Sequence, residues 1–279
     1  MIGNFLRFIR FSHTIFALPF ALGAMLVAAD GLPTLRLFAL IVVAMILART
    51  AAMTFNRITD WEIDQRNPRT EGRHKLLPRS AALTACAVAS ILFCATTRFI
   101  NPLCFALSPI ALFILFFYSF TKRFTNFAQF FLGLALATAP VGAWLAVTGS
   151  FALAPLVLAA SVLCWVAGFD IIYATQDYEI DRREGLHSMV VWLGIPRALM
   201  TVTTLHAAAL AGFAVFGLLT HLGIVYYLGL ALVAAALIYE HLLARKGDLA
   251  AINKAFFQAN AAVSAIFVLS ILADRIAIR

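Results

Sequence analysis

Of 279 residues, 63% are hydrophobic, 12% are charged and 25 are Phe, a composition that excludes an ordinary soluble globular domain. The formal net charge of +8 would suit a nucleic-acid binder, but the basic residues follow a topological pattern instead, and no nucleic-acid partner is expected. Apolar runs of about 18 residues or more, continuous rather than alternating, predict an all-α polytopic membrane protein and make a β-barrel a poor alternative.

Arg7 and Arg10 precede the first apolar run, a superficial likeness to a secretory signal. No cleavage site follows, and Asp30-Gly31-Leu32-Pro33 reads as a loop. Nine spans are expected, at roughly 13–29, 36–58, 80–97, 102–120, 126–147, 152–176, 196–219, 222–244 and 253–273.

The second span ends in a stretch dense with charge, Asn56-Arg57-Ile58-Thr59-Asp60-Trp61-Glu62-Ile63-Asp64-Gln65-Arg66-Asn67-Pro68-Arg69-Thr70. Asn56, Asp60 and Asp64 are spaced four and four. At about 100° per residue each step drifts by only about 40°, so the three project from one helix face. Arg49 lies two turns before Asn56 on that face, about 16 Å deeper than Asp60 at 1.5 Å per residue. An arginine inside a membrane helix costs at least about 2.5–3.5 kcal/mol, so it must meet a polar cavity, a ligand or an acidic partner. A ligand-facing role is favoured because the carboxylates share its face.

The loop beyond carries Arg66, Arg69, Arg73, His74 and Lys75. Cys86, Cys94, Cys104 and Cys164 all fall inside apolar runs and read as small buried residues, neither disulfides nor a Cys-rich metal site. Tyr118 and Lys122 are one turn apart at the end of the fourth span, with Arg123 adjacent. In the sixth span Asp170, Tyr173, Asp177 and Asp181 follow spacings of three, four and four and form a polar stripe. Asp177-Tyr-Glu-Ile-Asp181-Arg-Arg183 repeats Asp60-Trp-Glu-Ile-Asp64-Gln-Arg66 after 117 residues. Glu240, in the eighth span, is an acid with no partner evident from spacing, and His206 and His241 have no ligand-like pattern.

With the N-terminus placed in the cytoplasm, sixteen Lys and Arg fall inside and four outside (Arg36, Arg98, Arg275, Arg279), and Arg49 lies within a span. This is a strong positive-inside bias. It puts the two long loops, about 59–79 and 177–195, in the cytoplasm and the C-terminus outside. Each acidic motif follows the second span of a four-span block. We therefore expect one membrane-embedded domain with an internal pseudo-repeat, about 1–125 and 126–245, plus an extra helix at about 253–273.

Carboxylates one turn apart repel unless a cation lies between them. A solvated helix end explains one such cluster, but it is a poor account of two near-identical ones, each below a helix bearing a buried charge. Oxygen ligands without Cys or His favour Mg²⁺, with Mn²⁺ as second choice. Mg²⁺ takes only one or two protein carboxylates and completes its shell with water and phosphate, which points to a diphosphate-bearing substrate. Lys122 and Arg123 are the preferred basic residues for that anion, with Arg66 also near the first motif.

These residues resemble the UbiA-type superfamily of intramembrane aromatic prenyltransferases. That family's pattern is Asn-x-x-x-Asp-x-x-x-Asp in one half and Asp-x-x-x-Asp in the other, matched by Asn56/Asp60/Asp64 and Asp177/Asp181. Tyr118-Ser-Phe-Thr-Lys122 matches its Tyr-x-x-x-Lys element, and Arg49 holds the place of its upstream arginine. The runs at 67–70, 118–123 and 139–144 look most like the 4-hydroxybenzoate polyprenyltransferase branch, including relatives in the futalosine route to menaquinone that use a dihydroxynaphthoate. Two departures stand out. Many members have Asn-Asp where this chain has Asn56-Arg57, and the loop closes with Lys75-Leu-Leu-Pro78-Arg79-Ser80 rather than Leu-Pro-x-Gly.

The resemblance implies two four-helix units plus one helix around a central cavity, in a multi-pass protein of a bacterial inner membrane. It implies a polyprenyl diphosphate and a small aromatic acid as substrates, membrane lipid as surroundings and no obligate protein partner. Asn56, Asp60, Asp64, Asp177 and Asp181 would hold Mg²⁺. Arg49, Asn56, Tyr118, Lys122, Arg123, Arg66 and Tyr173 would contact substrate. Lys122 would stabilise the leaving diphosphate, and Asp177 or Asp170 would polarise the phenol. Haem, chlorophyllide and glycerolipid acceptors stay open. A secondary transporter is disfavoured because the two halves run in the same orientation rather than inverted.

Topology is directly testable by cysteine labelling in a Cys-free background. Gln65→Cys and Glu184→Cys should both react from the cytoplasmic side only. Labelling of either from outside overturns the orientation and, with it, the parallel duplication.

Overall fold

The computed structural model describes residues 2–10, 14, 16–67, 70–244 and 249–277, with side chains throughout except at 2 and 249–256. Pro68, Arg69 and Arg279 of the sequence reading, and the start of the first expected span, lie outside these residues. The chain folds into α1 (Ile2–Phe8), α2 (Leu18–Ala28), α3 (Leu35–Thr59), α4 (Trp61–Arg66), α5 (Arg79–Ile100), α6 (Pro102–Thr121) and α7 (Ala128–Thr148). It continues through α8 (Leu153–Ala174), α9 (Tyr178–Arg183), α10 (Met189–Leu193), α11 (Ile195–Leu219), α12 (Ile224–Ala244) and α13 (Leu249–Ala277). Single 3₁₀ turns occupy Glu71–Lys75 and Thr175–Asp177.

Among the described residues, eight helices are long and apolar enough to cross a membrane. They are α3, α5, α6, α7, α8, α11, α12 and the Phe257–Ala277 part of α13. The chain is thus an integral multi-pass membrane protein, and eight of the nine expected crossings are of crossing length among the described residues. The remaining expected span, the first, is described only in part: α2 has 11 residues, about 16 Å of helix against a hydrocarbon core of about 30 Å, and the start of that span lies outside the described residues.

The helices form two compact units, residues 1–14 with 34–120, and 15–33 with 121–279. In the first, α3 packs along α5 around Ala44, Ala51, Ala89, Phe93 and Leu112. Thr34 caps α3, its hydroxyl accepting from the Leu37 N–H at 3.3 Å. Within α3 the hydroxyls of Thr50 and Thr54 donate to the carbonyls of Ile46 and Thr50 at 2.8 and 2.6 Å. These two hydroxyls are therefore satisfied by the helix's own backbone.

In the second unit α7 packs on α8, α8 on α11, α11 on α12 and α12 on α13, with α2 against α7 and α13. Phe20 of α2 is the hub: its ring lies 4.9 Å from that of Trp165, 5.5 Å from Phe213 and 4.6 Å from Phe267. Those partners come from α8, α11 and α13. This is why α2, which the sequence repeat groups with the first block, packs with the second unit. It also makes α13 part of that unit's interior rather than an appendage, with Val263, Phe267 and Ile271 at 0–1% exposure. Small residues allow the close approaches: a Cβ on Gly133 would sit 2.6 Å from the Leu163 carbonyl oxygen.

Buried polar contacts tie these helices together. Glu240 is fully buried, and its Oε1 accepts from the Asn260 amide at 2.6 Å. His206 Nδ1 lies 3.9 Å from Glu240 Oε2 and 3.1 Å from His241 Nε2. Tertiary packing thus supplies the partner for Glu240 that spacing alone did not reveal. At the other end of the unit, Asp274 of α13 caps α12: its carboxylate accepts from the N–H groups of Gly223 at 2.8 Å and Tyr226 at 3.3 Å. Arg275 beside it bonds Asp30 at 2.9 Å and the Thr220 carbonyl at 3.2 Å.

Asp274→Ala removes the cap of α12 and should lower stability by about 0.5–2 kcal/mol. Asp274→Asn, which keeps one accepting oxygen, should lose less. Thermal unfolding in detergent checks the order, and an alanine variant as stable as wild type refutes the cap.

Candidate active site

The first motif is built where α3 ends. Asp60 breaks the helix, with φ −92° and ψ 13°, yet the turn-by-turn hydrogen bonds persist through it. The Asp60 N–H donates to the Asn56 carbonyl at 2.9 Å and the Asp64 N–H to the Asp60 carbonyl at 2.8 Å. Asn56, Asp60 and Asp64 therefore stay one turn apart, as their spacing predicts. Asp60 is only 4% and Asp64 9% exposed. The Asn56 amide donates to Asp60 Oδ2 and to Ser119 Oγ, both at 3.4 Å.

Asp64 is enclosed by two guanidinium groups. Arg73 Nη1 lies 2.8 Å from Oδ1 and Arg57 Nη1 lies 3.6 Å from Oδ2. Arg57 is buried and also donates to Asn56 Oδ1 and to the Phe8 carbonyl, both at 3.4 Å. Arg73 reaches back from the 3₁₀ turn Glu71–Lys75, which is held against α4 where the Thr70 hydroxyl donates to the Asp64 carbonyl at 2.9 Å.

The sequence reading assigned neither arginine to the site. A signal for Arg57 was present, because a spacing of seven residues puts it on the face of Asp64. None existed for Arg73, whose contact depends on the turn.

Arg49 is placed on the same unit. Its Nη2 donates to the Arg10 carbonyl at 3.2 Å; its buried Nε has no hydrogen-bond partner, and it makes no ion pair among the described residues. An acidic partner on a neighbouring helix, the alternative to the favoured ligand-facing role, is not found for it among the described residues. Tyr118, on α6, lies within electrostatic reach of Arg49, Arg57 and Asp60. Arg66 points from α4 as an exposed side chain.

The second motif is built in the same way in the second unit. α8 gives way to a 3₁₀ turn ending at Asp177, whose φ of −100° and ψ of 3° nearly match those of Asp60. The first aspartate of each motif thus sits at a helix break in the sparsely populated bridge region, where many active-site residues are found. Asp170, Tyr173, Asp177 and Asp181 are all half-buried, while Arg182 and Arg183 are exposed. Lys122, half-buried, and Arg123, exposed, lie in the turn after α6. That turn joins the loop beyond the motif directly: the His187 N–H donates to the Lys122 carbonyl at 2.7 Å.

The donors fit a hard divalent ion in kind. They are carboxylate and amide oxygens, and no three His, Cys, Asp or Glu side chains cluster as an all-protein metal cage among the described residues. Asp60 with Asn56 offers an oxygen pair. A cation on Asp64 would have to share that carboxylate with Arg57 and Arg73 or displace one of them.

A solved UbiA homologue from Aeropyrum pernix superposes with a TM-score of 0.86 at 32% identity, covering 94% of this chain and 98% of that one. A UbiA homologue from Archaeoglobus fulgidus bound to GPP and Mg²⁺ shares the fold, with a TM-score of 0.73 at 22% identity over 97% of this chain and 98% of its own. The 4-hydroxybenzoate octaprenyltransferase of Nitrosospira multiformis is 33% identical over 244 residues, 86% of this chain and 83% of that protein. The model of the UbiA prenyltransferase family matches residues 17–263. The chain belongs to the UbiA prenyltransferase family.

Proposed function

We propose that this chain transfers a polyprenyl group from an allylic polyprenyl diphosphate to a small aromatic acid, 4-hydroxybenzoate or a related dihydroxynaphthoate. The observation that carries this reading is the pair of aspartate motifs, each set at a helix break with its first aspartate in the same backbone conformation. The name of the Nitrosospira multiformis relative supports the acceptor class. The Archaeoglobus fulgidus neighbour, bound to GPP and Mg²⁺, supports a diphosphate donor used with a divalent ion.

Asn56, Asp60 and Asp64 are the ligands we assign to one Mg²⁺, and Asp177 and Asp181 those for a second. Bound there, Mg²⁺ would neutralise the diphosphate and make it a leaving group. The chain's own groups do the rest. Lys122 and Arg123 stabilise charge developing on the departing diphosphate, with Arg66 and Tyr118 as further contacts. Arg49 holds the acceptor's carboxylate in charge-assisted hydrogen bonds, its unpartnered Nε supporting a ligand-facing role. Asp170 or Asp177 polarises the acceptor hydroxyl, so that the ring attacks the allylic carbon ortho to that oxygen, and Tyr173 lies on the same stripe. The carbon–oxygen bond to diphosphate breaks, the carbon–carbon bond to the ring forms, and a base takes the ring proton.

Product identification by mass is the direct test: purified protein, one polyprenyl diphosphate, Mg²⁺ and mixed aromatic acids should yield a single prenylated acid. A prenylated haem, chlorophyllide or glycerolipid would replace the acceptor class. Turnover should stop in excess EDTA and should fall by orders of magnitude in Asp60→Ala and in Asp181→Ala while the protein still inserts and folds. Undiminished transfer without divalent metal ends this reading.

Arg49→Met should spare insertion, since an apolar side chain suits a membrane helix. It should cost about 1.5–3 kcal/mol of acceptor binding, a loss of about 10- to 150-fold. Affinity for a non-hydrolysable polyprenyl diphosphate analogue with Mg²⁺ should change much less. Lys will not substitute, because it lacks the planar two-pronged contact. Collapse of diphosphate binding with acid binding intact would move Arg49 to the diphosphate site.

A further inference from the structure

Three contacts join the start of α7 and the turn before it to the loop that follows the second acidic motif. The His187 N–H donates to the Lys122 carbonyl at 2.7 Å. The Met189 N–H donates to Gln129 Oε1 at 3.3 Å, across 60 residues of chain. The rings of Phe127 and Trp192 meet edge to face with centroids 5.7 Å apart. Together they clasp residues 122–129 to residues 187–192.

Only one of the three is a hydrogen bond from backbone to side chain. Gln129 is 3% exposed, in the first turn of an otherwise apolar helix. Burying an amide there is costly unless it is bonded, and the bond it makes is to the loop. That loop is short and closely specified. Leu186 N–H donates to the Asp181 carbonyl at 2.8 Å, Gly185 turns with φ +66°, and Ser188 caps α10 by accepting from the Val191 N–H at 3.1 Å. Any displacement of Met189 is thus passed back through few residues to Asp181. On the other side, the clasped turn carries Lys122 and Arg123.

We infer that Gln129 is a positioning residue: through Met189 it fixes the Asp177/Asp181 loop in register with Lys122 and Arg123, so that the acidic and basic groups for one diphosphate are set together. This role rests on the prenyl-transfer reading, and Gln129 itself touches no substrate. A residue that merely filled space in the bundle would affect both substrates alike when replaced. A residue that sets this register acts on the diphosphate.

The test compares Gln129→Met, which keeps length but removes the accepting oxygen, with Gln129→Glu, which restores an oxygen. Hydrogen exchange at residues 186–190, affinity for a non-hydrolysable polyprenyl thiodiphosphate with Mg²⁺, and affinity for 4-hydroxybenzoate are the readouts. In Gln129→Met the loop amides should exchange faster and thiodiphosphate affinity should fall by about 3- to 10-fold, the loss of one neutral hydrogen bond. Affinity for 4-hydroxybenzoate should hold, and Gln129→Glu should recover most of both lost quantities. Unchanged exchange in Gln129→Met overturns the inference whatever the binding data show, as does an equal loss for both substrates. A wild-type protein that binds no thiodiphosphate sinks the prenyl-transfer reading and the role with it, leaving only the structural clasp that the exchange data report.

Discussion

A buried carboxylate has to be answered by positive charge, and Asp64 shows how much of the first unit follows from that one demand. Its two oxygens face Arg73 at 2.8 Å and Arg57 at 3.6 Å. Removing one partner of such a pair strands a charge away from water, at a cost of about 3–5 kcal/mol. Arg57 can answer only if α3 and α4 stay in register through the break at Asp60. Arg73 can answer only if its 3₁₀ turn is held against α4, which the Thr70 hydroxyl secures by bonding the Asp64 carbonyl. The helix break and the 3₁₀ segment thus meet in one ion-pair cluster.

The same logic sets the helix partners of the second unit. In a bilayer an apolar helix gains nothing by choosing another helix over lipid, so small residues and polar contacts decide who packs with whom. Phe20 fills the middle of the unit, but it does not fix register. Register comes from Glu240 bonded to Asn260, from Asp274 capping α12, and from Gly133 admitting the backbone of α8. The first two of these contacts hold α13 within the unit, so its lack of a counterpart in the repeat says nothing about its importance.

The two motifs spend the chain's few charges in different ways. Around the first, two arginines pair with Asp64, and the Asn56 amide bonds Asp60. Around the second, basic and acidic groups come from separate segments, joined through the Lys122 carbonyl and the Gln129 amide.

The sequence by itself determined the class and the motifs. Continuous apolar runs can satisfy their backbones in lipid only as helices, and spacings of four survive any helix, so Asn56, Asp60 and Asp64 fall in line whatever surrounds them. The recurrence of Asp60/Asp64 as Asp177/Asp181 was legible for the same reason, since a local repeat needs no tertiary information. Arg57 was half-legible, because its seven-residue offset from Asp64 is helical. Only the tertiary structure decided the rest. Arg73 meets Asp64, Gln129 meets Met189 and Glu240 meets Asn260 through turns and packing that leave no period in the chain. The size of α2 and its membership of the second unit were equally hidden, because hydropathy reports how apolar a segment is and not which neighbours its Phe20 will find.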